Sequence, residues 1–184
     1  MPSMYNRRIL AIDPGTRAMG IALVDRGELV YHGVRTIRKQ PSPRDTLNQG
    51  RKVVLRLIRD FRPEVLTFEK TFFVNNRNAA LLNVFADEIK AVGQRKGLTV
   101  LAFAPSTIKK TVCGNGHASK GEVARAVVAR FPELKVYLSQ DRKWKDEFHA
   151  NMFDAVAVAL TAGQHGPRIT HPHDARTAES RHKP

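Results

Sequence analysis

Two apolar runs of this chain stop on a carboxylate: RILAID, ending at Asp13, and VLTFE, ending at Glu69. A buried strand that carries an acid to its end strips that acid of hydration unless a hydrogen bond or a cation replaces it. A third acid, Asp154, stands among Ala150, Phe153, Ala155, Val156 and Ala157, in a segment otherwise directed to a core. Three acids from separate elements meeting at one sheet edge would hold Mg²⁺ or Mn²⁺, hard cations that take oxygen ligands and keep waters for substrate phosphates. Two such ions about 3.5–4 Å apart can activate water on one side of a phosphodiester and stabilise the leaving oxyanion on the other. Taken singly, each acid reads more simply as a cap, a turn former or an ion-pair partner. Their immediate neighbours Ile12, Phe68 and Phe153 are apolar and supply no local cation, which favours the joint reading.

The elements that must position these acids follow from hydrophobic periodicity. RILAID followed by Pro14 and Gly15 reads as a central strand running into a turn. Runs over 20–24 and 28–37, linked by Asp25, Arg26 and Gly27, make a hairpin, so the first three strands are expected to be antiparallel neighbours. Residues 40–45, with two prolines, read as a loop, and Leu47, Val54, Leu57, Ile58 and Phe61 then recur at helical spacing up to Pro63. After the VLTFE strand, Leu81, Leu82, Phe85, Ile89 and Val92 mark a second helix, and residues 98–103 a fifth strand. Short helices follow from Pro105 to about Val112 and from Ser119, where Ser119 and Glu122 have capping-box spacing. The last helix begins near Trp144 and ends at Gly163. The expected architecture is α/β: a five-stranded mixed sheet with helices on both faces. Residues 1–165 would form one domain, and 166–184, polar and rich in proline and histidine, a disordered tail.

Composition narrows the partners. Lys and Arg number 31 against 17 Asp and Glu, a net charge of +14 that calls for an anionic partner. The single cysteine, Cys113, permits neither an internal disulfide nor a cysteine zinc site, which suits a reducing cytoplasm. No stretch approaches the roughly 20 apolar residues that span a bilayer, and Met1–Arg8 is polar where a secretory leader would be apolar, so no membrane partner is expected.

Four stretches then resemble a known family in its own order and spacing: ILAIDPGTRAMGIALV from Ile9, FEKTFFVNNRNAAL from Phe68, APSTIKKTVCGNGHASKGEV from Ala104 and NMFDAVAVAL from Asn151. They are similar to the RuvC family of Holliday-junction resolvases. The resemblance covers about Ile9 to Gly163 and implies an RNase H-like fold, a homodimer and metal-dependent cutting of branched DNA near the nucleoid, with a branch-migration motor as a possible partner. It places the family's catalytic, metal-holding acids on Asp13, Glu69 and Asp154. A fourth ligand, three residues before the last acid, falls on Asn151, where the family usually has aspartate and in some members histidine.

Asparagine offers a carbonyl oxygen to a hard cation but cannot act as a base. Around a helix Asn151 lies about 60° from Asp154, Glu147 about 20° but two turns away, and His149 about 140°, so Asn151 ranks first for the fourth place, Glu147 second and His149 third. The resemblance further implies that Lys109 and Lys120, with Lys110 beside the first, serve the scissile phosphate, Lys120 in a catalytic capacity. Phe72, better than Phe73, matches the family's aromatic wedge, followed by Asn76 and Arg77 as nucleic-acid contacts. Arg7, Arg8, Arg17, Arg51 and Lys90 are further candidates for phosphate contact, and the helix over 78–93 for the dimer interface. The histidines at 165, 171, 173 and 182 are given no catalytic role.

Three rivals share this pattern. Actin-like sugar kinases and ATPases fit DPGTRAMG loosely, but they need two domains closing on a nucleotide. A noncatalytic or weakly active binder of junctions or structured nucleic acid would explain Asn151. An RNA-processing nuclease of the same fold fits less well with Phe72 and the segment from Lys109 to Lys120. The reading favoured is a structure-specific endonuclease that nicks two opposing strands of a four-way junction, leaving 5′-phosphate and 3′-hydroxyl ends, with Mg²⁺ or Mn²⁺, two ions per active site, and water activated by metal held between Asp13 and Asp154.

Overall fold

The structure is a computed structural model describing residues 6–15, 17–38, 40–70, 77–138 and 143–165, with the side chains of 77–79 and 143–147 outside the description. Five strands, β1 (Arg8–Asp13), β2 (Ala18–Asp25), β3 (Glu28–Thr36), β4 (Val65–Glu69) and β5 (Thr99–Phe103), form one sheet in the order β3-β2-β1-β4-β5. β1 pairs antiparallel with β2, and β2 with β3, whereas β4 runs parallel to both β1 and β5. This is the mixed sheet that the periodicity predicts.

Helices cover both faces. α1 (Pro43–Phe61) and α2 (Arg77–Arg95) pack on one side. α5 (Lys143–His165) packs on the other, carrying α3 (Pro105–Cys113) and α4 (Lys120–Arg130) against its outer surface. Alternation along each strand sorts the side chains between two cores. Leu10, Ile12, Met19, Ile21, Leu23, Leu66 and Phe68 face α1 and α2, while Ile9, Ala11, Ala22, Val24 and Val65 face α5. Asp13 and Glu69 continue the second series, two residues beyond Ala11 and Thr67, so the same alternation that buries the strands aims both acids toward α5.

Helix limits and one turn depart from the periodicity. α1 starts at Pro43, inside the stretch read as a loop, because Ser42 accepts a hydrogen bond from the Asp45 amide at 3.1 Å and Pro43 takes the first helical position, where its missing N–H costs nothing. A 3-10 turn over Pro132–Tyr137, absent from the sequence reading, buries Leu134 and leads the chain toward α5. α5 runs on to His165, whose Nε2 lies 2.9 Å from the Thr111 hydroxyl, so this histidine belongs to the helix rather than the tail.

Candidate active site

Where β1 and β4 end, a cleft of about 380 Å³ is lined by Asp13, Pro14, Glu69, Pro105, Ile108, Lys109, Lys120, Val123, Asn151 and Asp154. The parallel pairing of Ile12 with Phe68 sets Asp13 and Glu69 side by side on neighbouring strands. Asp154 comes from α5, one turn beyond Asn151.

The approach of α5 to the sheet depends on Gly20. This residue pairs with Asp13 across β1 and β2, and a Cβ built on it would stand 1.8 Å from the Asn151 carbonyl oxygen. Only a residue without a side chain lets the helix backbone lie on the strand here. A glycine inside a strand signals such a close approach, a signal the motif reading passed over. Asn151 is held by the same contact: its Nδ2 donates to the Ala18 carbonyl at 3.5 Å, which leaves Oδ1 as its free polar atom.

Lys120 arrives by a separate device. The Ser119 hydroxyl accepts from the Glu122 amide at 3.3 Å and Glu122 Oε2 accepts from the Ser119 amide at 2.7 Å, a closed capping box that starts α4 and places Lys120 in its first turn. From there Nζ reaches Asp154 Oδ2 at 3.4 Å. α3 ends in a left-handed Gly114 (φ 75°) whose N–H caps the Lys110 carbonyl, and α3 contributes Lys109 to the cleft.

The electrostatics are those of crowded acids. Burial, then Asp154 and Glu69, push the Asp13 carboxyl well above the usual carboxylate range, against the pull of Lys120. Burial and the charge of Asp154 push Glu69 up to about 7. Asp154 is raised by burial, opposed by Lys120 and Lys109. Three carboxyls whose charged forms are disfavoured by burial and, for Asp13 and Glu69, by a neighbouring acid, with the Asn151 amide oxygen in the same cleft, make an all-oxygen donor set suited to a hard divalent cation. Among the described residues, no three His, Cys, Asp or Glu side chains are already gathered so as to hold an ion. The donors share a cleft without forming a closed cage.

The other sequence candidates divide. Lys110 is exposed on α3 and is not among the residues lining the cleft. His149 packs its ring 4.7 Å from Tyr137 and does not line the cleft. Phe72, Phe73 and Asn76 lie outside the described residues, as do the side chains of Arg77 and Glu147. Arg8, at the opposite end of β1 from Asp13, is bound to Asp25 at 2.6 Å and to the Phe61 carbonyl, and Arg51 joins Glu88 of α2 at 3.2 Å, so both cations have structural partners. The apolar liners Pro14, Pro105, Ile108 and Val123 carried no mark of a site in the sequence.

A mixed sheet in this order, with acids at the ends of two adjacent parallel strands facing an acid on the last helix, is the arrangement of an RNase H-like nuclease. The family model for crossover junction endodeoxyribonuclease RuvC matches residues 9–162. Crossover junction endodeoxyribonuclease RuvC of Myxococcus xanthus is 32% identical over 164 residues, covering 86% of this chain and 81% of its own length. The structure of T. thermophilus RuvC in complex with Holliday junction substrate is similar with a TM-score of 0.67 and 25% identity, covering 84% of this chain and 92% of that one. The yeast mitochondrial Holliday junction resolvase Ydc2, at 14% identity and a TM-score of 0.66, shares the fold. The chain belongs to the RuvC family of crossover junction endodeoxyribonucleases, and that membership implies a divalent-metal requirement.

Proposed function

We propose that this protein, acting as a homodimer, resolves four-way DNA junctions by symmetric nicks in two opposing strands, in the cytoplasm at the nucleoid. The observation that supports this most directly is the cleft in which Asp13, Glu69, Asp154 and Asn151 face Lys109 and Lys120. The acids and the Asn151 oxygen would hold Mg²⁺ or Mn²⁺, two ions per site. When bound, the ions lower the pKa of attacking water and stabilise the departing oxygen. Asp13 and Glu69 are anchored on strands and Asp154 on α5, so the donors approach a cation from two layers of the fold. Lys120 exchanges its contact with Asp154 for a phosphate oxygen, and Lys109 neutralises the same group. A water oxygen bonds to phosphorus as the bond to the 3′ oxygen breaks, leaving 5′-phosphate and 3′-hydroxyl ends. Phe72, Phe73, Asn76, Arg77 and Lys110 are proposed contacts to the junction, with 1–165 as the nuclease domain, 166–184 as a tail and a branch-migration motor as a partner.

The test is cleavage of labelled four-way junction, duplex and single strand with and without Mg²⁺ or Mn²⁺. Paired nicks in the junction alone, dependent on metal, are expected; equal cutting of duplex or single strand would overturn the assignment. Asn151 favours a second reading, a weakly active junction binder, because it supplies no charge to the metal. Asn151→Asp separates the two: a rise in activity in Mg²⁺ means that the native site is short of a ligand, and no change or a fall means that it is complete with asparagine.

A further inference from the structure

A cavity of about 610 Å³ opens among Lys52, Leu55, Arg56, Ile58, Arg59 and Lys96. It lies on the α1 side of the sheet, where α1 and α2 end and β4 and β5 begin, whereas the acidic cleft lies on the α5 side where β1 and β4 end. The length of β4, roughly 13 Å along the strand, and the thickness of the sheet separate the two.

Four cations ring this cavity and, among the described residues, a single acid, Asp60, answers two of them, at 3.4 Å from Arg56 Nε and 2.9 Å from Arg59 Nε. Both guanidinium side chains are 73% exposed, and exposed pairs of this kind are weak enough to exchange. Lys52 and Lys96 make no ion pair among the described residues. Leu55, half-buried, and the exposed edge of Ile58, which otherwise lies in the core, give the cavity an apolar wall between the charges. A sugar-phosphate backbone would engage the cations and leave that wall uncovered. An acidic peptide with an aliphatic or aromatic side chain engages both.

We propose that this cavity docks an acidic segment of another protein, which seats one apolar side chain against Leu55 and Ile58 and its carboxylates against Lys52, Arg56, Arg59 and Lys96. Because the cavity and the cleft are on opposite faces, such a partner binds while the cleft is occupied by nucleic acid. The inference does not depend on which branched DNA the cleft accepts.

The probe is a fluorescein-labelled poly-glutamate peptide with a central leucine pair, beside a control in which serines replace the leucines. It is added to the full chain preloaded with four-way junction without divalent metal, and binding is read by anisotropy. The leucine peptide is expected to form a ternary complex and to bind more tightly than the serine peptide. Arg56→Glu combined with Lys96→Glu should weaken it by about tenfold or more, with junction affinity and thermal midpoint unchanged. Leu55→Ser, which alters no charge, should erase the preference for leucine over serine and keeps the test decisive if the charge reversal unfolds the chain. Displacement of the junction by the peptide, equal peptide binding by the variants, or junction affinity that falls on charge reversal would each overturn the proposal, the last by assigning the surface to a DNA arm.

Discussion

The two layers that sandwich the sheet are built from side chains of different size. Toward α1 and α2, the central strands present Leu10, Ile12, Met19, Ile21, Leu23, Leu66 and Phe68, which interlock with Phe85, Ile89 and Val92. Toward α5 they present Ala11, Gly20 and Ala22 between the larger Ile9, Val24 and Val65, in a core shared with Ala155, Ala159 and Ala162 of the helix. Large side chains hold a helix at a distance set by their volume, and the space they fill stabilises the fold. Small ones bring the helix backbone onto the strand, so the position of α5, and of Asn151 and Asp154 on it, is fixed by backbone contact. Both layers bury a core, and the α5 layer also sets the geometry of the cleft.

The comparison is broken most severely at the cleft itself. Asp13→Asn should lower junction cleavage in Mg²⁺ by about 10³-fold or more while junction binding stays level or tightens, because a negative charge near phosphates is removed; gel-shift and cleavage assays on one preparation check it. Loss of binding together with cutting would make the acid structural. Next comes Gly20→Ala, whose Cβ meets the Asn151 carbonyl and forces α5 outward. Cleavage should fall by about 10²-fold, the cost of misplacing reacting groups by about 1 Å, with a stability loss of about 1–3 kcal/mol. The contrasting change is Ile89→Ala in the opposite layer, expected to cost about 2–5 kcal/mol in chemical denaturation and to leave the cleavage rate of the folded protein within about twofold.

The smallest effect is on pH dependence. The three cleft carboxyls are raised in the folded state, Glu69 from 4.5 to about 7 and the two aspartates from 3.8, so below pH 3.8 both states are largely protonated and the stability they contribute is complete. As pH rises toward 7 the unfolded chain has released protons that the folded chain retains, and stability must fall. The thermal midpoint without metal should therefore drop by several degrees, roughly 5 °C, between pH 5 and pH 8, and Mn²⁺ should restore it at pH 8. Asp13→Asn should flatten the slope. A metal-free midpoint that rises over this interval would contradict the crowding of these acids.

Much of this arrangement was legible in the chain. Strands that stop on Asp13 and Glu69, the capping box at Ser119 and Glu122, and the helical stripe around Asp154 are local patterns, governed by neighbours a few residues away. Less legible were the start of α1, where prolines at 41 and 43 suggested a loop although Pro43 suits a first turn, and the 3-10 turn at Pro132–Tyr137, too short to show a period. Gly20 gave a readable sign of close approach, but nothing in its surroundings named Asn151, 131 positions away, as what approaches it.

By itself, then, the amino-acid order determined the type and succession of the elements and which residues could do chemistry, because periodicity and capping act within a few residues. The tertiary structure alone decided that Lys120 reaches Asp154, that Arg8 and Arg51 are engaged elsewhere, and that a second cavity, ringed by cations, opens at the far end of the sheet. These depend on distances between segments remote in the chain, which are set by strand pairing and by the bulk of the side chains packed between layers.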